Sequence, residues 1–228
     1  MTTDLAVRER VGAALRAPGA GLLLDLDGTL VDSEPTHRAA FHRYFRRRGW
    51  QVDDETVRAF AGRRGAEVFA SLEGPWSGED PVLLTREVLA CLDVVADPPA
   101  AVPGAADAIA GWRGAGVPVA VVTSATRAWA KTVLAMLGVP DGLPLVTAEL
   151  TPVGKPDPAP YVRGAELLGV DPAACVAAED TPAGLAAALG AGVSLVLGVT
   201  TSQPEEALLR AGAHATVGDL THLVPAAV

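Results

Sequence analysis

The feature that most constrains this chain is LLLDLDGTLVDSE at residues 22–34, an apolar run that ends abruptly in two aspartates set two positions apart. An apolar run without alternation suits a strand covered by helices on both faces, as in parallel sheets. Side chains two apart in extended chain point the same way, so Asp25 and Asp27 are expected to project together from the strand's carboxyl end. In open α/β sheets the ligand crevice lies outside those strand ends. Two carboxylates brought together repel each other unless a cation or a proton lies between them. A single Asp before Gly reads as a turn. Two of them, followed by glycine and threonine at the end of a buried strand, read as a site.

Other apolar runs, at residues 21–26, 117–122, 175–178 and 193–199, alternate with helical patterns ended by glycine at 105–115, 127–137, 158–168 and 182–189. Residues 144–147 add a further short strand. Strand and helix alternating at this spacing predict a doubly wound, Rossmann-like parallel sheet. Residues 33–100 read differently: they are richer in charge and aromatics, with helical spacing at 39–49, 55–61 and 83–95 and no strand-like run. Pro98, Pro99 and Pro103-Gly104 mark the return. The expected organisation is an N-terminal extension over 1–20 (a short surface helix and linker), an α/β core over 21–32 and 101–228, and a helical insertion over 33–100.

Composition narrows the partners. The formal net charge of −9 argues against nucleic acid and anionic membrane, which require surfaces rich in Lys and Arg. Aromatics are only 4% of the chain, so the core must be built from Ala, Val and Leu. Cys91 and Cys175 lie far apart, without metal-ligand spacing and in apolar stretches, which suits two buried thiols in a reducing, cytoplasmic setting. Residues 1–20 carry charges throughout and read as no secretory signal. No charge falls between Asp180 and Glu205, but the Gly-Ala-Gly at 190–192 divides that stretch into a buried helix and a buried strand rather than a membrane span.

Three more stretches carry chemistry. VAVVTSATR, residues 119–127, ends a strand in Thr123 and Ser124 just before a helix. Hydroxyls and free amides at a helix N-terminus make a phosphate cradle, although alone they would be an ordinary cap. GKPDP, residues 154–158, holds Lys155, one of two lysines in the chain. CVAAEDTPAG, residues 175–184, ends a strand in Glu179 and Asp180. Hard oxygen ligands of that kind suit Mg2+.

DLDGT matches the DxDGT signature of haloacid-dehalogenase-like phosphatases, and the other three stretches follow in that family's order, so the resemblance spans residues 22–184. It implies that Asp25 is the nucleophile that forms an aspartyl-phosphate and that Asp27 is the general acid/base. It assigns the phosphate hydroxyl to Thr123, with Ser124 nearby, and the neutralising ammonium to Lys155. Mg2+ would be held by Asp25, the backbone carbonyl of Asp27 and Asp180, with Glu179 ligating directly or through water. The insertion stands where this superfamily places a cap. His37, Arg63 and Arg64 are its candidate substrate readers, Phe41 an apolar wall, and Arg46–Arg48 a solvated helix face.

The implied function is a Mg2+-dependent phosphatase acting on a small phosphorylated metabolite: a sugar phosphate, a polyol phosphate or phosphoglycolate. A β-phosphoglucomutase-like phosphomutase is the alternative, since it uses the same four stretches. A dehalogenase needs neither the metal nor Asp27, and a non-catalytic binding protein would be marked by a lost ligand. The chain is expected to be a monomer or a small homo-oligomer.

Overall fold

The computed structural model describes residues 4–60 and 64–225. Arg63, one of the three candidate substrate readers, lies outside the described residues. The first helix, α1 (Asp4–Leu15), seats Val7, Val11 and Leu15 in the interior, four residues apart on one face. The strands follow in chain order as β1 (Gly21–Leu24), β2 (Val31–Asp32), β3 (Ala100–Ala101), β4 (Val119–Val122), β5 (Leu145–Val146), β6 (Cys175–Glu179), β7 (Leu195–Val199) and β8 (Ala215–Val217). Six of them form one sheet in the order β5-β4-β1-β6-β7-β8, and β2 pairs with β3 in a separate two-stranded ribbon. Every ladder in the large sheet is parallel, with Leu22 opposite Val119 on one side of β1 and opposite Val176 on the other.

The chain divides into two compact units, one made of the residues up to Asp32 and from Ala101 onward, the other of Ser33–Ala100. The second unit is helical: α2 (Glu34–Arg48), α3 (Asp54–Arg58), α4 (Gly65–Ser71) and α5 (Pro81–Leu89). Its core draws on most of the chain's aromatics, with Phe45 stacked on Trp76 at 5.4 Å and Phe41 against Phe60 at 4.4 Å. Arg46, Arg47 and Arg48 are exposed on α2. Arg48 also lies 4.2 Å over the Trp50 ring and pairs with Glu79 at 2.5 Å, so this end of the helix is tied into its own unit.

In the first unit the remaining helices are α6 (Ala105–Gly114), α7 (Arg127–Met136), α8 (Ala159–Leu168), α9 (Pro182–Gly190) and α10 (Glu205–Arg210). The charge-free stretch after Asp180 resolves into α9 and β7. No helix among the described residues is long and apolar enough to cross a membrane. Both cysteines are free and buried. Strands β1, β4, β6 and β7 are buried at every position, which explains why their sequences do not alternate. The core between sheet and helices is made of small and branched aliphatics around Leu23, Val122, Ala165, Ala177, Leu185 and Val196.

Gly164 lets α8 lie directly on the sheet, since a Cβ there would stand 2.8 Å from the Val122 side chain and 3.1 Å from Leu23. Leu23 is fully buried at this contact. Leu23→Ala is therefore expected to lower unfolding stability by about 3 kcal/mol, through lost transfer energy plus an unfilled cavity. Urea denaturation is the check: the midpoint should fall with an unchanged slope. Loss of less than about 1 kcal/mol would contradict the packing described.

Candidate active site

The strand order decides where a site can form. From β1 the chain passes first to β4 and β5 on one side, then crosses to β6, β7 and β8 on the other. In open α/β sheets such a reversal is where a ligand crevice forms, which here is the carboxyl end of β1, flanked by the ends of β4 and β6. Asp25 directly follows β1, Thr123 directly follows β4, Glu179 ends β6 and Asp180 comes next. The ladder continues into these residues: the Asp25 amide donates to the Ala178 carbonyl at 3.1 Å, and the Thr123 amide to Val146 at 2.9 Å. The backbone at the reacting edge is thus held by the sheet itself.

Lys155 joins these ends. Its Nζ donates to Asp25 Oδ1 at 2.5 Å, to the Val122 carbonyl at 2.9 Å and to Glu179 Oε1. The side chain is only 8% exposed, and its three acceptors match the three protons of an ammonium. Glu179 Oε1 also accepts from the Tyr161 hydroxyl at 2.8 Å, while Oε2 accepts from the Thr181 hydroxyl at 3.2 Å. Asp180 is buried and receives a hydrogen bond from Ser202, yet its Oδ1 has no hydrogen-bond partner among the described residues. Oxygens of Asp25, Glu179 and Asp180 lie within 4.8 Å of one another.

Two glycines make this crowding possible. Gly28 has φ +87°, and a Cβ on it would strike the Asp180 carboxylate and stand 2.6 Å from Ser202 Oγ. A Cβ on Gly184 would collide with the carboxylate of Glu179.

The electrostatics are those of an acid cluster with too little positive charge. Burial pushes the Asp25 carboxyl well above the usual carboxylate range; Lys155 opposes this, and Glu179 and Asp180 add to it. Burial, then the neighbouring Glu179, pushes Asp180 up to about 7. Burial works against the Lys155 charge, but Asp25 and Glu179 outweigh it and hold the ammonium above the ordinary lysine range. Burial, followed by Glu179, raises the Tyr161 hydroxyl as well. Three carboxylates face one ammonium, and one buried carboxylate oxygen is left without a donor. That donor set fits a hard divalent cation, which would supply the missing charge.

The remaining candidates stand as follows. Asp27 is half-buried, and its Oδ1 accepts from the indole Nε1 of Trp129 at 2.8 Å. Thr123 is buried, and its hydroxyl accepts from the Ala125 amide at 3.0 Å; Ser124 is exposed. Helix α7 begins there, with the Thr126 hydroxyl capping the Trp129 amide and the Glu149 carboxylate accepting from the Arg127 amide at 3.0 and 3.1 Å. His37 and Arg64 belong to the second unit. His37 is half-buried in the first turn of α2. Arg64 precedes α4 with its Nε and Nη2 buried and without a hydrogen-bond partner among the described residues. The sequence reading missed Tyr161, Trp129 and Ser202. For the first two a signal was present: each is a polar-tipped aromatic in an aromatic-poor chain, close behind a site stretch.

A parallel α/β sheet with an acid cluster and a buried lysine at its switch point is an arrangement suited to handling an anion together with a cation. The haloacid dehalogenase-like hydrolase model matches residues 20–192, and the chain belongs to that family. It is 40% identical over 204 residues to validoxylamine A 7'-phosphate phosphatase of Streptomyces hygroscopicus subsp. limoneus, covering 88% of this chain and 94% of the relative. It is 36% identical to hexitol phosphatase A of Escherichia coli strain K12, over 77% and 81% of the two chains. Among solved structures, CbbY from Rhodobacter sphaeroides in complex with phosphate superposes with a TM-score of 0.78 at 28% identity, covering 90% of this chain and 96% of that one.

The acid cluster gives a test with a definite sign. An acid raised from 3.8 to about 7 on folding contributes stability that is fully present below the lower value and is lost as pH rises through the higher. The metal-free protein should therefore lose stability from Asp180 between about pH 4 and 7. A divalent cation such as Mg2+ would bind the ionised form, so it should raise the melting temperature more at about pH 8 than at about pH 5. Asp180→Asn should shrink that difference, leaving the part that comes from Asp25. Scanning calorimetry with Mg2+ and with EDTA is the check, and equal increments at both pH values would contradict the arrangement.

Proposed function

We propose that the protein is a Mg2+-dependent phosphatase that hydrolyses a small, hydroxyl-rich phosphomonoester, a sugar or polyol phosphate, through an aspartyl-phosphate on Asp25. The observation that carries this reading is the buried group of Asp25, Lys155, Glu179 and Asp180, with its surplus of negative charge and the orphaned oxygen on Asp180. Relatives named for hexitol phosphate-type and validoxylamine A 7'-phosphate substrates support the choice of a hydroxyl-rich body.

A carboxylate is a competent nucleophile at phosphorus because the acyl phosphate it forms is itself readily hydrolysed. Asp25 attacks the phosphorus as the bond to the leaving oxygen breaks, and Asp27 gives that oxygen its proton. Asp27 then takes a proton from the water that attacks the phosphorus, which frees inorganic phosphate and restores Asp25. Lys155 fixes one oxygen of Asp25 and keeps its positive charge through both steps. The Thr123 hydroxyl, with Ser124 beside it, meets the phosphoryl oxygens at the start of α7. When bound, Mg2+ held by Asp25, Asp180 and the Asp27 carbonyl supplies the charge that lets an anionic phosphate approach these carboxylates. Glu179, already accepting from Lys155, Tyr161 and Thr181, acts chiefly by holding the lysine.

Residues 33–100 act as the cap that reads the organic part of the substrate, with His37 and Arg64 as its readers. A guanidinium with two nitrogens that find no partner among the described residues is a donor suited to hydroxyl or phosphate oxygens.

Phosphate release from a panel of hexose, hexitol and other polyol phosphates and phosphoglycolate, with Mg2+ and with EDTA, tests the proposal. Release should require Mg2+, be fastest with a hydroxyl-rich substrate, and fall at least about a thousandfold in Asp25→Asn. Interconversion of hexose phosphates without release would instead make the protein a mutase. Activity that survives EDTA and Asp25→Asn would overturn the proposal.

A further inference from the structure

Trp129 lies in the first turn of α7, yet its side chain reaches a different stretch of the site. The residue is 6% exposed, and its indole Nε1–H donates to Asp27 Oδ1 at 2.8 Å. Asp27 stands beyond the end of β1, in the turn closed by hydrogen bonds from the amides of Thr29, Leu30 and Val31 to the Leu26 carbonyl. The sheet ladder therefore holds Asp25 but does not by itself orient Asp27. The indole comes from a firmly held element: Thr126 caps α7, Glu149 binds the Arg127 amide, and Ala130, Val133 and Leu134 are buried on its inner face.

We infer that Trp129 is a positioning residue for Asp27, holding one carboxylate oxygen so that the group stays aimed at the oxygens with which it exchanges protons. This rests on the reading of Asp27 as the acid/base. An indole N–H donates, accepts nothing and does not titrate at any working pH, so it orients the carboxylate without competing for the proton. In the first step a proton passes from Asp27 to the leaving oxygen as the phosphorus–oxygen bond breaks. In the second a water proton passes to Asp27 as the water oxygen bonds to phosphorus and the Asp25–phosphorus bond breaks. The Trp129 proton moves in neither step. Because α7 also begins at the Thr123-Ser124 turn, a single helix would position both the phosphate cradle and the proton-transfer group.

Trp129→Phe keeps an aromatic ring and removes the N–H donor together with part of the indole's volume, so a melting temperature measured beside the kinetics separates loss of the donor from loss of packing. A hydrogen bond to a charged group of this kind corresponds to about a tenfold to hundredfold change in rate. The expected result is a kcat lowered by about that factor on the best substrate, with KM changed less than about twofold, because geometry at the proton transfer is lost rather than binding. In an Asp27→Asn background the same substitution should cost nothing further. A readout free of turnover comes from the indole N–H signals of 15N-labelled protein, with that of Trp129 identified by its absence in Trp129→Phe. Asp27→Ala should move that signal upfield and leave those of Trp50, Trp76 and Trp112 in place. An indole signal indifferent to Asp27→Ala, or a Trp129→Phe enzyme with wild-type kcat, overturns the inference. Wild-type protein that releases no phosphate while its indole signal does respond would remove the phosphatase reading and leave the contact standing.

Discussion

One buried ammonium organises this protein's functional edge. Lys155 touches Asp25, the Val122 carbonyl and Glu179, which come from the ends of three adjacent parallel strands. Removing a buried charge from water costs several kcal/mol unless it is paired and fully hydrogen-bonded, and Lys155 meets both conditions with three acceptors. The dependence runs both ways. Without the lysine, Asp25 and Glu179 would be neighbouring buried carboxylates with no counter-charge, a state that burial and mutual repulsion disfavour. The lysine thus lets the strand ends meet as acids, and in the proposed mechanism it also prepares Asp25 to act.

The same contact explains features that look unrelated in sequence. Glycine follows the second aspartate because the Asp180 carboxylate occupies the space where a side chain would stand. Glycine recurs at 184 because the Glu179 carboxylate lies against the first turn of α9. Tyr161 is buried, with its hydroxyl on Glu179 and its ring 5.4 Å from the Lys155 nitrogen. Each residue gives up space or a hydrogen bond to the lysine, to its partner Glu179 or to their neighbour Asp180. What the cluster lacks is one more positive charge, and that shortage makes a divalent cation the natural complement of this set of donors.

Much of this was legible in the sequence, for a physical reason. Strands buried on both faces leave continuous apolar runs, and site residues of a parallel sheet must stand at the ends of those runs, so β1, β4, β6 and β7 with Asp25, Thr123, Glu179 and Asp180 could be read off directly. The strand read at 21–26 stops at Leu24 because the chain then turns back on the Leu26 carbonyl. Helices α4 and α10 and strand β8, of seven, six and three residues, went unread because they are too short to show a period. The Trp129–Asp27 contact joins residues 102 apart, and no local pattern carries it. The hydrogen bonds of Glu179 to Lys155, Tyr161 and Thr181 were similarly hidden, while its oxygens also stand in the acid cluster with Asp25 and Asp180, where the sequence places a metal ligand.

The proposed mechanism requires a covalent bond at Asp25. The most direct measurement is borohydride reduction of the enzyme quenched during turnover of its best phosphomonoester substrate, followed by peptide mass spectrometry across residues 22–34. An acyl phosphate is reduced by hydride whereas a free carboxylate is not, so the account predicts homoserine in place of Asp25 and unmodified Asp27. Turnover that leaves Asp25 untouched, or that marks another residue, would contradict it.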